Sequence, residues 1–521
     1  MSSSQDQTDT PARGAYHLFV GNFTFTVIVA LSSFVIARLL GPAGYGLYSL
    51  ALVLPTYLYT ILQLGITSSA TYFAAKYRSE GNIERAHEFI YSVTLFQLII
   101  SLVAVAITMP LSSTLALKLI NRPELGAIIP IAVITVLGHV TYYTSTAGLQ
   151  GLSKMNRSAG LQVLLAVIRL VSSAGLILLG FGVLGAVIGN LLGFVISGGL
   201  GLAIIIMMHG KLVPRRIFGD AKMALTYGAP IYVASLIGGL VPPFQSTLLA
   251  NFENNTVIGW YNGATNLSTL VTVFTYPIST VLFPLFTSYS NDKSRLLEVY
   301  RIAARYSTMI IVPITSFVFS LATVLAPAAL GHFYPGTGPY LRVIVVVYLL
   351  AGLGFIAQSA LLNSMRRRRE YMLTSLLGSG ITIIFSAAFI RNLGVYSVLL
   401  GSLIGQVSSN LILWVLVGKI LDGNIQLRTL WKIYLASAIS ATLVYPVAYI
   451  PLHPLILAVL GLVLYMALLI PLFVYTKAIS TEDVMRLDSY FKSIKLMHLF
   501  FRVARWYYEL FAGKVIIANN S

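Results

Sequence analysis

The chain has 521 residues; 57% are apolar or aromatic, 42 are glycine and only 10% are charged. A soluble domain carries about 25% charged and about 45–50% apolar residues, so this composition excludes a soluble globular fold, and its hydrophobicity equally excludes disorder. The net charge of +18 would point to nucleic acid in a soluble chain, but in a polytopic membrane protein it marks loops facing the cytoplasm and anionic lipid; the absence of cysteine excludes disulfides, thiolate metal sites and a cysteine nucleophile.

Residues 1–14 form a polar tail with no cleavable signal pattern after it. A bilayer core of about 30 Å takes about 20 apolar residues as helix. Apolar runs between charged and Gly/Pro-bearing breaks predict fourteen spans, at 17–40, 46–75, 86–110, 125–150, 158–180, 183–208, 226–250, 257–286, 301–330, 339–365, 371–391, 395–418, 429–450 and 453–476. The expected class is an all-α polytopic membrane protein. Its N-lobe is residues 15–210 (spans 1–6) and its C-lobe 226–420 (spans 7–12), joined by a basic linker at 211–225. Spans 13 and 14 follow at 429–476. In the tail 477–521, Ser480 to Asp483 reads as a helix start, and Val484, Leu487, Phe491 and Ile494 then alternate with lysine and arginine, the pattern of a helix lying on an anionic membrane face.

Basic residues orient these spans. With the N-terminus inside, the cytoplasmic loops and tails hold 28 of the 34 Lys and Arg and the opposite side holds five: Arg38, Lys118, Arg122, Arg342 and Arg391. This asymmetry places both termini in the cytoplasm and the protein in the cell membrane.

The chain also repeats itself. An offset of 213 superposes Gly46-Leu47-Tyr48 on Gly259-Trp260-Tyr261, Gln150 on Asn363 and Lys154 on Arg367; with one deletion, Gly182, Gly189 and Gly193 fall on Gly394, Gly401 and Gly405. An offset of six spans is even, so the repeats are parallel, and two such lobes around a central cleft are an alternating-access layout.

The stretch Arg38-Leu39-Leu40-Gly41-Pro42-Ala43-Gly44-Tyr45-Gly46-Leu47-Tyr48 resembles the R-x-L-G-P-x-x-Y-G-x-Y segment of polysaccharide and oligosaccharide exporters. These are the O-antigen-type and archaeal lipid-linked-oligosaccharide flippases of the multidrug/oligosaccharidyl-lipid/polysaccharide exporter superfamily; Gly182 to Gly189 is similar to a later segment of them. The resemblance implies outward translocation of an isoprenoid-(pyro)phosphate-linked sugar, with spans 1, 2, 7 and 8 lining the cleft.

Arg169 lies mid-span and has no Asp or Glu inside any span to pair with. It either faces a hydrated cavity and meets an anionic ligand, or is satisfied by backbone carbonyls or Gln162. Arg38 and His139 are the further phosphate candidates, against snorkelling for the first and a hydrogen-bonded core role for the second. Asn22, Gln63, Gln245 and Asn266 are the sugar candidates, against interhelical hydrogen bonding. Pro242-Pro243 should bend or break span 7, as a gate or as a static kink, and Pro277 and Pro284 should do the same to span 8. No catalytic residues, metal site or cofactor are expected. The expected partners are the lipid-linked oligosaccharide and anionic lipid at the cytoplasmic face, with no nucleic acid and a monomeric transport unit. Two rivals remain: a multidrug or cation antiporter of the same superfamily, and a polytopic lipid-linked glycosyltransferase. The first usually needs acids inside the membrane, and no expected span holds one in its interior; the second needs outward-facing acids for metal or base duty, and the outer side offers only Glu124 and Glu253, with no acidic pair.

Overall fold

The computed structural model describes residues 11–209, 216–290, 292–423, 427–478 and 511. The expected helix start at 480–483 and the tail after it, residues 211–215 of the linker and most of the N-terminal tail lie outside the described residues. All regular structure among the described residues is helical. The helices are α1 (Pro11–Ala51), α2 (Val53–Leu62), α3 (Ile66–Ser79), α4 (Ile83–Leu115), α5 (Ile129–Gly151), α6 (Met155–Leu176), α7 (Gly182–His209), α8 (Ile217–Phe252) and α9 (Asn255–Leu267). They continue with α10 (Thr269–Ser288), α11 (Lys293–Ser320), α12 (Ala322–Leu330), α13 (Thr337–Val345), α14 (Phe355–Ser364), α15 (Arg368–Leu393), α16 (Val395–Ile420), α17 (Leu427–Val444) and α18 (Pro454–Tyr475).

Eight stretches among the described residues are long and apolar enough to cross a membrane, or nine if α13 and α14 count as one bent span. Two of them, Val20–Leu62 with 43 residues and Met155–Met208 with 54, are about twice the length one crossing needs. Each turns at glycines of positive φ: Gly41 inside α1, and Gly180 and Gly182 between α6 and α7. The protein is thus a multi-pass membrane protein. Several expected spans are not single rods. Span 2 is the end of α1 followed by α2 and α3, with Leu64 and Gly65 both at positive φ between the last two. Span 10 is interrupted at Gly354 and bends there by 54°.

The helices are not broken at the prolines. α8 runs through Pro242-Pro243 and α10 through Pro277 and Pro284 as uninterrupted helices. Proline removes one donor and crowds the preceding turn; on either side of the pair α8 is tied to its neighbours. Tyr232 Oη donates to the Ile61 carbonyl, and Asn251 Nδ2 donates to the Leu119 carbonyl at 2.9 Å. The breaks fall where two backbones meet. A Cβ on Gly65 would collide with the Gly228 backbone, and a Cβ on Gly228 with that of Gly65. Glycine at φ 72° serves both the turn and the approach.

The helices form two compact units, Met1–Asn266 with Ser379–Ser402, and Leu267–Gly378 with Leu403–Ser521. The first of them includes α8, α9 and parts of α15 and α16 as well as α1 to α7. In the first unit α5, α6 and α7 pack on one another, α1 lies on α6, and α8 lies on α2, α3 and α4. In the second, α11 packs on α17 and α17 on α18, around the fully buried Tyr300 and Tyr465; Tyr465 donates to the Pro313 carbonyl at 2.9 Å.

The duplication reappears in the backbone. Ser153 and Arg366, 213 apart, have φ of 56° and 59°. They precede matching bonds, Lys154 N–H to the Leu149 carbonyl and Arg367 N–H to the Leu362 carbonyl, both 2.8 Å. α6 and α15 then start 213 apart. Gly182 and Gly394 have φ of 53° and 52°. Gly189 faces Ser173 while Gly401 faces Ser386, so the same small-residue crossing is built twice. Within the first unit the equivalents also meet. Gly46 abuts the Asn255 carbonyl and Gly259 abuts the Pro42 carbonyl, a reciprocal pair at the same offset.

Candidate functional site

Arg169 sits on α6 with its Nε buried and without a hydrogen-bond partner. Its Nη2 donates to Tyr48 Oη at 3.3 Å, and it interacts electrostatically with Tyr45 and Tyr143. Tyr45 and Tyr48, one turn apart beyond the Gly41 break, stack with centroids 6.1 Å apart, and both are buried. α9 reaches the same place: Asn266 Nδ2 donates to Tyr45 Oη at 2.8 Å, and Asn262 Nδ2 to Ser49 Oγ at 2.9 Å. A guanidinium, two phenols and an α9 amide therefore form one connected group inside the first unit. A guanidinium offers five donors in a plane and no acceptor, so phenol oxygens satisfy it only in part, and an anion would complete it.

His139, on α5, borders this group through the field of Arg169. Both of its ring nitrogens are buried and lack a partner. Its ring meets Phe194 at 3.7 Å and Tyr59 at 5.0 Å between centroids, and Tyr59 stacks on Tyr143 at 5.1 Å. The core hydrogen bond weighed for His139 is therefore not made. Arg38 is exposed on the turn before Gly41, whereas Arg169 and His139 are half-buried, with Arg169 Nε and both His139 ring nitrogens buried.

The amides divide. Gln63 Nε2 donates to Tyr59 Oη at 2.8 Å, which joins it to the aromatic group around His139. Gln245 Nε2 donates to Ser402 Oγ at 2.7 Å, tying α8 to α16. Asn22 lies beside Gly21, which packs directly on Ala159 of α6. Asn266 bonds to Tyr45, with which the guanidinium interacts electrostatically. Pro242 is exposed and Pro243 buried, both on the continuous α8.

Two polar clusters were not foreseen. At the basic end, Arg85 of α4 binds Asp220 of α8 through both guanidinium nitrogens, donates to Glu88 at 3.1 Å and lies over the Tyr77 ring. At the other end, Arg122 donates to Asn255 Oδ1 and to the Glu253 carbonyl, both at 2.6 Å. The Glu253 carboxylate accepts from the Val395 N–H at the start of α16; burial pushes its pKa up and that bond opposes the rise. The charges were visible in the sequence, but as topogenic loop residues. Asp220, Asn255 and the Glu253 carbonyl lie more than 130 positions from the arginines they bind, which no local pattern signals. The tyrosines were visible within the motif, and Asn262 stands 213 residues after the Ser49 it binds.

The family model for polysaccharide biosynthesis proteins matches residues 35–337, more than half of the chain. This chain belongs to the polysaccharide biosynthesis protein family. The fold is similar to that of a structure of the lipid II flippase MurJ, described as an inward closed conformation, with a TM-score of 0.72 at 16% identity, covering 87% of this chain and 97% of that one. An inward-facing multidrug resistance MATE transporter of the MOP superfamily matches with a TM-score of 0.64 at 18% identity, over 76% and 94%. A MOP superfamily transporter from Pyrococcus furiosus, described as having a binding pocket of reversed polarity, matches at 0.57 and 17% identity, over 80% and 97%. No curated protein sequence matches the chain. The expected exporter family and all-helical class therefore hold.

Proposed function

We propose that this family member is a flippase that moves an isoprenoid-(pyro)phosphate-linked oligosaccharide from the cytoplasmic to the outer leaflet by alternating access, for surface polysaccharide or glycoprotein assembly. The observation that carries this reading is Arg169. It is a cation in the interior of a membrane bundle, held by Tyr48 on one side, with a buried unpartnered Nε and no Asp or Glu in the interior of any span. An isolated charge at that depth is costly unless it meets a counter-charge. The phosphate of a lipid-linked sugar supplies one, and a cationic drug does not. In this reading Arg169 holds the phosphate. Tyr48 fixes the guanidinium, His139 lies beside it, and Asn266 and Gln63 offer amides to the sugar. Arg38 attracts the head group at the rim, while Gln245 and Asn22 face the path. The Pro242-Pro243 segment yields as the gate, and both termini are cytoplasmic. No covalent step is needed.

The test uses purified protein in liposomes with a fluorescent isoprenoid-pyrophosphate oligosaccharide in both leaflets, quenched from outside. Arg169→Ala should slow equilibration about tenfold or more, the scale of a lost charge-assisted hydrogen bond, and Arg169→Lys should keep part of the rate. An unchanged rate in the alanine variant sinks the anchor. No flipping over empty liposomes, together with export of a cationic dye against an ion gradient, sinks the flippase in favour of the antiporter.

A further inference from the structure

The second unit carries a cation that the translocation reading does not use. Arg342 stands on α13, beside the last turn of α11. Its Nε donates to the Phe319 carbonyl at 3.1 Å and its Nη2 to the Ser320 carbonyl at 3.4 Å. Its guanidinium lies 5.9 Å from the Phe319 ring centroid and 5.3 Å from that of Tyr445, which follows α17. Tyr445 and Tyr449 share a hydroxyl hydrogen bond of 2.9 Å with rings nearly perpendicular. Tyr449 is 73% exposed. In such a pair one hydroxyl donates to the other, so one O–H remains free to donate elsewhere.

The charge balance of this end is one-sided. There is no Asp or Glu between Glu298 and Glu370, nor between Asp422 and Glu482. Among the described residues Arg342 thus has no carboxylate on α13, on α17 or on α11 after Glu298, and it makes no ion pair. At the other end of the same unit, by contrast, Lys293 pairs with Asp422 at 2.9 Å. Leu443, Leu452 and Leu455 beside the tyrosines are exposed apolar residues, as expected of a surface meeting lipid tails. Tyrosines over a cation at such a border are placed at headgroup depth. The helix-end carbonyls and rings preset the guanidinium, so little side-chain freedom is lost when a ligand docks.

We propose that Arg342, Tyr445 and Tyr449 form a binding site for the phosphate of an anionic membrane lipid, in the leaflet opposite the arginine-rich loops. The guanidinium neutralises the phosphate, the free phenol O–H donates to its oxygens, and the exposed leucines cover the first methylenes. The site is independent of Arg169 and stands whether or not the chain is a flippase.

The test uses the full chain in nanodiscs of phosphatidylcholine, with or without phosphatidylglycerol, and reads hydrogen exchange of residues 443–453. Phosphatidylglycerol should protect this segment in the wild type. In Arg342→Gln the lipid concentration needed for half protection should rise about five-fold, the effect of one basic group near a membrane surface. Tyr449→Phe, at an exposed position that folding tolerates, should weaken protection while Arg342→Lys keeps part of it; these two decide the matter if Arg342→Gln does not fold. Equal protection in all variants, or equal protection in phosphatidylcholine alone, overturns the site. Protection by inorganic phosphate without phosphatidylglycerol shows a free-anion site and overturns the lipid.

Discussion

Gln97 illustrates what polar residues in these spans accomplish. Where α2 ends, the Leu62 carbonyl loses its helical donor; Gln97 Nε2 supplies one at 3.2 Å, and Thr144 Oγ1 holds the Gln97 oxygen at 2.6 Å. A buried carbonyl left unpaired costs about 1–3 kcal/mol, so such an amide is needed by the fold before any substrate arrives. Arg169 was legible as a functional candidate because its charge has no local explanation. The phenols around it were not, because their pairing depends on where the Gly41 break and α9 bring the chain. Glu253 permits a test in pH. Burial raises its pKa, so its ionisation opposes folding. The protonated form contributes stability that is present at low pH and is lost as pH rises from the unfolded value of about 4.3 through the folded one. Glu253→Gln keeps an acceptor for the Val395 N–H and should melt higher than the wild type at pH 7.5, the gap closing near pH 4. A gap of constant size across that range would rule out the titration.

At the scale of the element, apolar periodicity locates the helices but not all of their interruptions. Each expected span is covered by a helix or by consecutive helices, since run length and hydropathy are properties of local composition. Prolines are where the sequence predicts a bend or a break. The structure puts breaks at Gly65 and Gly354, where φ is 72° and 74° and a neighbouring group occupies the space a side chain would take. At Gly354 that group is the Tyr300 hydroxyl, which donates to the Leu353 carbonyl at 2.9 Å and so covers the acceptor that the interrupted helix exposes. Proline is visible in a sequence, but the approach of a second backbone is not. Gly65→Ala should therefore be costly. The left-handed conformation alone costs an L-residue about 1–2 kcal/mol, and the Gly228 backbone must also move. A detergent melting curve should show a fall of several degrees, and an unchanged Tm would mean that the break relaxes freely.

For the whole molecule, charge asymmetry is the feature that composition made legible, and the absence of cysteine makes it easy to check. Ser79 is the exposed last residue of α3, next to a loop expected on the cytoplasmic side, and Leu452 stands between α17 and α18, in a loop expected on the opposite side. In intact cells a membrane-impermeant maleimide should label Leu452→Cys and spare Ser79→Cys until the membrane is permeabilised. The reverse pattern would invert the topology. The grouping of α8 and α9 with the N-terminal bundle could not be read in advance, because hydropathy carries no information about which helix a lipid-length segment chooses as its neighbour.

The reciprocal contact of Gly46 with Asn255 and of Gly259 with Pro42 is the kind of surface two identical subunits present to each other across a two-fold axis. In a homodimer, every substitution appears on both sides of that axis at once. Here the two sides belong to one covalent chain and are encoded separately. One copy can keep its glycine crossing while the surrounding residues drift apart, as they have where Arg169 stands in the first repeat and Thr382 at the corresponding place in the second. Tandem fusion thus lets a symmetric scaffold carry a single off-axis charge, an arrangement closed to any dimer of identical halves.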